Sequence, residues 1–503
     1  MNQILNEREL LYKYADEKWD ELREILRELV AKGERLDQME RTLMTALMDL
    51  GRACLQDVIE AAGDGDEGET ITRNGVTLKR SEKEHRCTYR SIFGPLEIQR
   101  FVYAIRERQK VQAMPLDEKL GLPADEISYV LEDWLGGLSA NMPYDSAVAW
   151  LERTMGIKVG RTTAENHARK LGEYVDSYRR QRADSPSTEE GELMVVSADG
   201  KGLPIRRPLE QRLEEELGKK PHVRQRKTDY ETSEHRRLRG DKSRTQRATV
   251  GACYSIQKDV RVVEDFLERE GRRENADVPR PQHKRLYAEL TTIVNKTESR
   301  GAERIFQQLA AEVEQRNPTG NKAVFCIMDG DRSLWKLKEQ YLPQAIGIID
   351  LFHVMEKLWA AAHCFHPDAS MEAEEFVHRY LKMLLEGKVD YVRGLFQRFL
   401  NQKKLNKTKK TTLSEVITYF KKNRAGMQYH QYLALGSPIG SGVIEGACKH
   451  VIGDRFCCSG MRWEIEGAQP LLNLRVTYLN DEWNDFVEYR IQAEQTALYT
   501  QAA

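Results

Sequence analysis

The sequence predicts a multidomain α+β chain, with helical and hairpin segments in its N-terminal part and an α/β domain in its C-terminal part. Three observations carry this. Within residues 5–62, Leu22, Ile25, Leu26, Leu29 and Val30, then Leu36, Met39, Leu43, Leu47 and Leu50, repeat every three or four positions, the spacing of an apolar helix face. Gly94-Pro95 separates two strand-like pieces, His85–Phe93 and Leu96–Tyr103, as in a β-hairpin. Three short apolar runs each end on an aspartate: Leu193–Asp199, Ala323–Asp329 and Ala345–Asp350. Such runs read as buried strands, and an Asp ending one sets a carboxylate at the rim of a sheet, where open α/β folds bind their ligands.

Taken in order, residues 1–62 form a helical region whose stripe suits an intramolecular core or a dimerising hairpin. The Gly/Asp/Glu stretch 63–69 breaks the chain. Residues 70–191 are expected to join the β-hairpin to a helical DNA-binding region. There Tyr144–Met155, a turn at Gly156-Ile157 and a helix over Thr162–Tyr178 have a helix-turn-helix-like pattern. Arg161, Asn166, His167, Arg169 and Lys170 would give its second helix polar reach, although any helix–Gly–helix unit shares this pattern. The α/β domain is expected over 192–490, with insertions at about 203–247 and 360–435. Its further strands are Thr245–Ile256 and Leu286–Val294, a helix spans Glu298–Arg316, and the chain is mainly helical from His353 onward.

At 503 residues there is ample chain for several cores. A composition 31% charged and 40% hydrophobic fits a soluble protein. No run approaches the roughly 18 apolar residues of a membrane helix, and the N-terminus has no signal-peptide core. Eight scattered cysteines make no disulfide framework, so a cytoplasmic location is expected. The formal net charge of −1 hides local bias. Lys219–Arg247 holds eleven Lys/Arg against four Asp/Glu, and Asn401–Arg424 holds eight against Glu415 alone. Basic segments of this kind suit a phosphate backbone; solvated loops are the competing reading.

The carboxylates point to metal-assisted phosphodiester chemistry. Stabilising both the attacking and the leaving oxygen is work for two divalent cations roughly 4 Å apart, and such hard ions prefer oxygen ligands. Asp199 ends the first strand and Asp329 a later one. A third acid, Glu445, lies where Gly440-Ser-Gly-Val-Ile-Glu445 enters a helix. The order strand Asp, strand Asp, helix Glu, with a helical insertion before the Glu, points to a ribonuclease-H-like α/β core.

Several stretches together resemble the DDE transposases of bacterial insertion sequences, in particular the ISKra group, related to mutator-like elements. They are Ser197-Ala-Asp-Gly-Lys-Gly202, Met328-Asp-Gly-Asp-Arg-Ser-Leu-Trp335, Ile349-Asp-Leu-Phe-His-Val-Met-Glu-Lys-Leu-Trp359, Gly440-Ser-Gly-Val-Ile-Glu-Gly446, Ser459-Gly-Met-Arg-Trp463 and Glu466-Gly-Ala-Gln469, with Pro115–Pro123 upstream. The likeness runs from about Phe93 to Trp483. It implies a ribonuclease-H fold in which Asp199, Asp329 and Glu445 bind Mg²⁺, two ions, with Mn²⁺ able to substitute. It also implies that Asp350-Leu-Phe-His353 is the auxiliary Asp-x-x-His signature. Asp350 and Asp331 remain alternatives to Asp329 as second ligand. Relatives often carry paired cysteines after the hairpin; Tyr103–Lys110 has none, which argues against a four-ligand zinc site.

The implied protein binds the terminal inverted repeats of its own element, cuts strands and joins them to target DNA, as a homo-oligomer on nucleoid DNA and without a membrane partner. Lys201, Arg206 and Arg207 follow Asp199 and could hold phosphate; Arg455 and Arg462 could face the backbone; Arg161 and Lys170 could contact DNA from the helix-turn-helix-like unit. A nuclease without strand transfer and a non-catalytic DNA-binding derivative are the alternatives. His363, Cys364 and His366 read as helix-end residues rather than a metal cluster, and Trp463 as core rather than a base-stacking platform.

Overall fold

The computed structural model describes residues 12–106, 109–182, 190–206, 245–270, 278–294, 297–402 and 404–499. Two compact units emerge, Met1–Gln181 with Asp481–Ala503, and Arg182–Asn480. The break expected near residue 62 does not separate a unit of its own. Whereas the sequence pattern extends the α/β domain to residue 490, the last helix, Trp483–Tyr499, falls with the N-terminal unit. Its buried Arg490 explains the attachment: the guanidinium meets Glu132 at 2.8 Å and Glu494 at 2.9 Å, and Trp483 donates to Asp133 at 2.6 Å.

In the N-terminal unit, α1 (Lys13–Lys32) and α2 (Leu36–Ala61) form a helical hairpin turned at Gly33, which is left-handed at φ 60°. Leu22 and Leu29 are buried. Asp57, also buried, accepts from the amides of Tyr14 at 3.0 Å and Ala15 at 2.8 Å. It satisfies first-turn donors of α1 that no helix can satisfy itself. Strands β1 (Thr70–Arg73), β2 (Val76–Arg80), β3 (His85–Ser91), β4 (Gly94–Arg100) and β5 (Tyr103–Ala104) follow. The expected β3–β4 hairpin is present, but its register pairs Ser91 with Gly94. The turn is therefore Ile92-Phe93 and not Gly94-Pro95. Gly94 instead opens the return strand at φ 118°, where a side chain would be strained.

After α3 (Pro115–Leu120), helices α4 (Tyr129–Asn141), α5 (Tyr144–Met155), α6 (Arg161–Glu173) and α7 (Val175–Gln181) complete this unit's first segment. Ser128 caps α4 through the Leu131 amide at 3.1 Å. Gly156, left-handed, ends α5. His167 does not reach outward from α6: it is buried and meets Glu132 at 3.0 Å.

The second unit is mixed α/β. Its five-stranded sheet runs in the order β12-β11-β6-β7-β8, from β6 (Leu193–Pro204), β7 (Thr245–Ile256), β8 (Gln282–Leu290), β11 (Ala323–Met328) and β12 (Ile346–Ile349). Between β8 and β11 lies the small pair β9 (Thr292–Val294) and β10 (Thr297–Ser299). Strands β6, β11 and β12 are parallel neighbours, whereas β6–β7 and β7–β8 are antiparallel. The runs are apolar throughout because both faces are covered. Val195, Phe325, Ile327 and Ile348 share one core, and Met194, Val196, Cys326 and Met328 share another with Ile305, Phe306 and Leu309.

Helix α8 (Val263–Glu270) follows β7, and α9 (Gly301–Arg316) supplies the second core's helical side. Helix α10 (Arg332–Tyr341) links β11 to β12. A helical block of α11 (Leu351–Ala362), α12 (Met371–Leu385), α13 (Val389–Gln402), α14 (Lys407–Asn423) and α15 (Tyr429–Ala434) then precedes α16 (Gly442–Cys448). Helix α16 runs on through a π turn, Lys449–Gly453, into Asp454–Phe456. A π turn leaves its carbonyls differently placed from an α turn. Arg475 of α17 (Ile465–Leu479) donates to the His450 carbonyl at 3.1 Å from Nε and 2.8 Å from Nη2.

Candidate functional site

The three strand-borne aspartates stand in one row. Register pairs Cys326 of β11 with Val196 of β6, and Met328 with Ile349 of β12. Asp329 lies three residues past the first pairing, as Asp199 does on β6, and it feels the Asp199 charge; Asp350 lies one residue past the second and donates its amide to the Met328 carbonyl. The parallel strands β11 and β12 stop just before this row. β6 does not: contrary to expectation it runs through Asp199 to Pro204, because β7 continues to pair with it as far as Thr245. A side chain at Gly200 would have to displace the Arg247 guanidinium.

The members of the row differ electrostatically. Asp199 and Asp329 are partly exposed. Each uses one oxygen on a nearby amide, Gly200 at 2.6 Å and Asp331 at 2.9 Å. Burial, and then the charges of Asp199 and Asp331, push the Asp329 carboxyl above the usual carboxylate range, opposed by the Asp331 amide and by His353. The other Asp199 oxygen receives the Cys448 thiol at 3.7 Å, and burial together with the Asp199 charge pushes that thiol up.

Asp350 is fully buried and fully partnered. One oxygen accepts the Ser441 amide at 2.7 Å; the other accepts the His353 amide at 3.1 Å, capping α11, and meets His353 Nδ1 at 2.6 Å. The hydrogen bond to Asp350, acting against burial, raises the His353 pKa to about 9.

Glu445, exposed on the first turn of α16, completes the constellation. Among the described residues, Asp350, His353 and Glu445 have ligand atoms within 4.8 Å of one another, while Asp199 and Asp329 do not join Glu445 at that spacing. Spacing alone would make the first three a metal cage. Their hydrogen bonds argue otherwise, because Asp350 already serves three donors, among them the His353 amide and ring Nδ1. Asp199 and Asp329, by contrast, are hard oxygen donors whose mutual repulsion a divalent cation would relieve.

Asp331 is a structural residue here. It caps α10 through the Ser333 amide at 2.9 Å and pairs with Arg247 at 2.7 Å. Lys201 extends toward the π turn: a side chain at Gly453 would meet its Nζ at 3.2 Å. Arg206 is exposed, 3.6 Å from Glu464, and Arg462 is exposed. Arg455 does not face outward. It is 1% exposed, with its guanidinium 5.0 Å from the Trp463 ring centre, and Trp463 is partly buried against Phe456. In the other unit, Arg161 is exposed near Asp145, and Lys170 is held by Asp125 at 2.7 Å and Glu494 at 3.3 Å. Arg207 and most of the basic stretch 219–247 lie outside the described residues.

Sequence reading passed over two side chains beside the row. Cys448 sits one helical turn after Glu445, a spacing that puts both on one face. Tyr419 arrives from α14, with no local signal: its ring lies where a side chain at Gly330 would fall, and burial followed by Asp329 and Asp350 pushes its hydroxyl up. A cleft of about 830 Å³ lined by Met44, Phe93 and Arg153 lies in the N-terminal unit and contains none of the row. No helix among the described residues is long and apolar enough to cross a membrane. Comparison with protein-family models and with curated proteins gives no match.

Proposed function

We propose that the second unit is a ribonuclease-H-like core and that the chain is a DNA transposase, cutting and joining strands at the ends of its own element. The observation that carries this is the gathering of Asp199, Asp329 and Asp350 at the same end of three neighbouring parallel strands, with Glu445 entering beside Asp350 from a helix after a helical insertion. The sheet order supports it too: three antiparallel strands in succession, then two parallel strands on the far side of the first.

Asp199, Asp329 and Glu445 would hold Mg²⁺ or Mn²⁺. Bound there, the cations supply a nucleophile at neutral pH and charge stabilisation at the scissile phosphate. Asp350 holds the start of α11 to the loop entering α16, through His353 and Ser441, and so sets where Glu445 stands. His353 contributes a positive charge between Glu445 and Asp329. Lys201 and Arg206 offer cations beside the row for a DNA phosphate, giving binding that weakens with salt.

The deciding experiment incubates the protein with Mg²⁺, labelled DNA of the element's ends and a target duplex. Joined products support transposition. Cleavage without joining points to the nuclease, and binding without either to a non-catalytic derivative. Asp329→Asn is expected to abolish both steps. Full activity in Asp329→Asn, with loss only in Asp350→Asn, overturns the ligand assignment.

A further inference from the structure

The N-terminal helical hairpin leaves an apolar face unpartnered among the described residues. Along α1, its N-cap Tyr12 and Trp19 are each 51% exposed, Leu26 42% and Val30 81%; on α2, Leu36 is 71% exposed, Leu47 52% and Val58 57%. Seven large apolar side chains this open are not scattered singly. Tyr12, Trp19 and Leu26 recur every seven residues, and Val30 follows four later, the spacing of a coiled-coil seam. Leu36, Leu47 and Val58 recur every eleven, which at about 100° per residue also keeps them on one stripe.

Both stripes lie on the same side of the hairpin. On α1 the exposed stripe is roughly a quarter turn, in the direction of advancing residue angle, from the buried pair Leu22 and Leu29. On α2 it is roughly a quarter turn in the same sense from Asp57, whose carboxylate faces the α1 amides. Because the helices run antiparallel, equal rotations in the same sense turn both stripes toward one face. Asp57 holds the α1 start in place, so this face is built by the fold.

We propose that this face pairs with its counterpart in a second copy of the chain, α1 lying antiparallel on α1, to give a four-helix dimer. Charge selects this occupant. On the outer flank of the α1 seam, Asp16 and Asp20 occupy the first half and Arg23 and Arg27 the second. A two-fold axis across the middle of α1 sets Asp16 opposite Arg27 and Asp20 opposite Arg23, the self-complementary pattern of an isologous contact. The existing exposed pairs, Arg23–Asp20 at 3.4 Å and Arg27–Glu24 at 2.9 Å, are of the kind worth little and easily exchanged. Size agrees. A 20-residue helix is about 30 Å long and two helices side by side span about 20 Å. Roughly 600 Å² is then covered on each copy, about 1,200 Å² in total, the lower bound for a specific interface.

The inference stands independently of any DNA chemistry, and its readout is mass. Sedimentation equilibrium of the full chain without DNA is expected to give a dimer. Leu26→Glu with Val30→Glu should weaken it about a hundredfold, while circular dichroism keeps the helix signal. Arg23→Asp with Arg27→Asp should weaken it about tenfold by like-charge repulsion. Adding Asp16→Arg and Asp20→Arg to that variant should restore it. If the glutamate variant misfolds, the charge series still decides. A wild-type monomer, a dimer indifferent to the folded glutamate variant, or no rescue by the four-charge exchange overturns the proposal.

Discussion

Asp329 and Asp350 are neighbours in one row on adjacent strands, yet they live in opposite electrostatic worlds. Asp350 is sealed from water and accepts from Ser441 and from His353 twice over. Asp329 is partly exposed, receives one amide, and is held protonated more readily by burial and by the charge of Asp199. A buried carboxylate with all its donors organises structure. One left in repulsion with its neighbour is costly without a cation and useful with one. The same sequence signal, an apolar run closing on Asp, thus yields a hinge pin in one strand and a partly exposed, unneutralised carboxylate in the next.

The sharpest way to break this contrast is Asp350→Ala. It strands the buried Ser441 amide together with the partly buried amide and ring of His353, and should cost roughly 2–4 kcal/mol in urea denaturation; a cost below about 1 kcal/mol would remove Asp350 from its structural role. Next comes pH. The folded His353 pKa is raised to about 9 from its ordinary 6.5, so its contribution is complete below about 6.5 and lost as pH rises through about 9. Wild type should therefore lose more stability between pH 7 and pH 10 than His353→Gln, other titrating groups being common to both. Asp331→Ala removes both a helix cap and the Arg247 pair and should cost about 1–2 kcal/mol. The smallest effect on stability belongs to Asp329→Asn: within about 1 kcal/mol, and toward greater stability, because it relieves repulsion. On the proposed ligand assignment, Mg²⁺ should raise the melting temperature of wild type and not that of this variant. Equal Mg²⁺ stabilisation in both would detach Asp329 from the metal.

Much of this was legible in the chain. The strand Thr245–Ile256 has the bounds its pattern suggested, and three apolar runs ending in Asp became three parallel strands because buried strands leave little choice of period. What the sequence withheld was non-local. β6 outruns Asp199 because β7 returns alongside it, and a partner strand cannot be read from the run itself. His167, polar and placed on a helix expected to reach outward, turned inward because Glu132 waits 35 residues earlier in the chain. The hairpin turn slipped by two residues because Gly94 serves as a strand's first residue, not as a turn's centre. Whether Glu445 completes a set with Asp199 and Asp329 or with Asp350 and His353 turns on hydrogen bonds that no spacing rule encodes.

The π turn after Glu445 acts as a phase shift in a helical screw. A π turn uses about one residue more than an α turn. In an unbroken α-helix, Arg455, ten positions on, would project roughly 80° from Glu445, on the open side. With one residue absorbed, it projects about half a turn away, into the aromatic packing of Phe456 and Trp463. Within the turn the His450 carbonyl accepts two hydrogen bonds from Arg475. Deleting a single residue within Lys449–Gly453 would unwind the shift and swing a buried cation toward the carboxylates. The helix therefore sets the charge of the site by its length, at positions that never touch it.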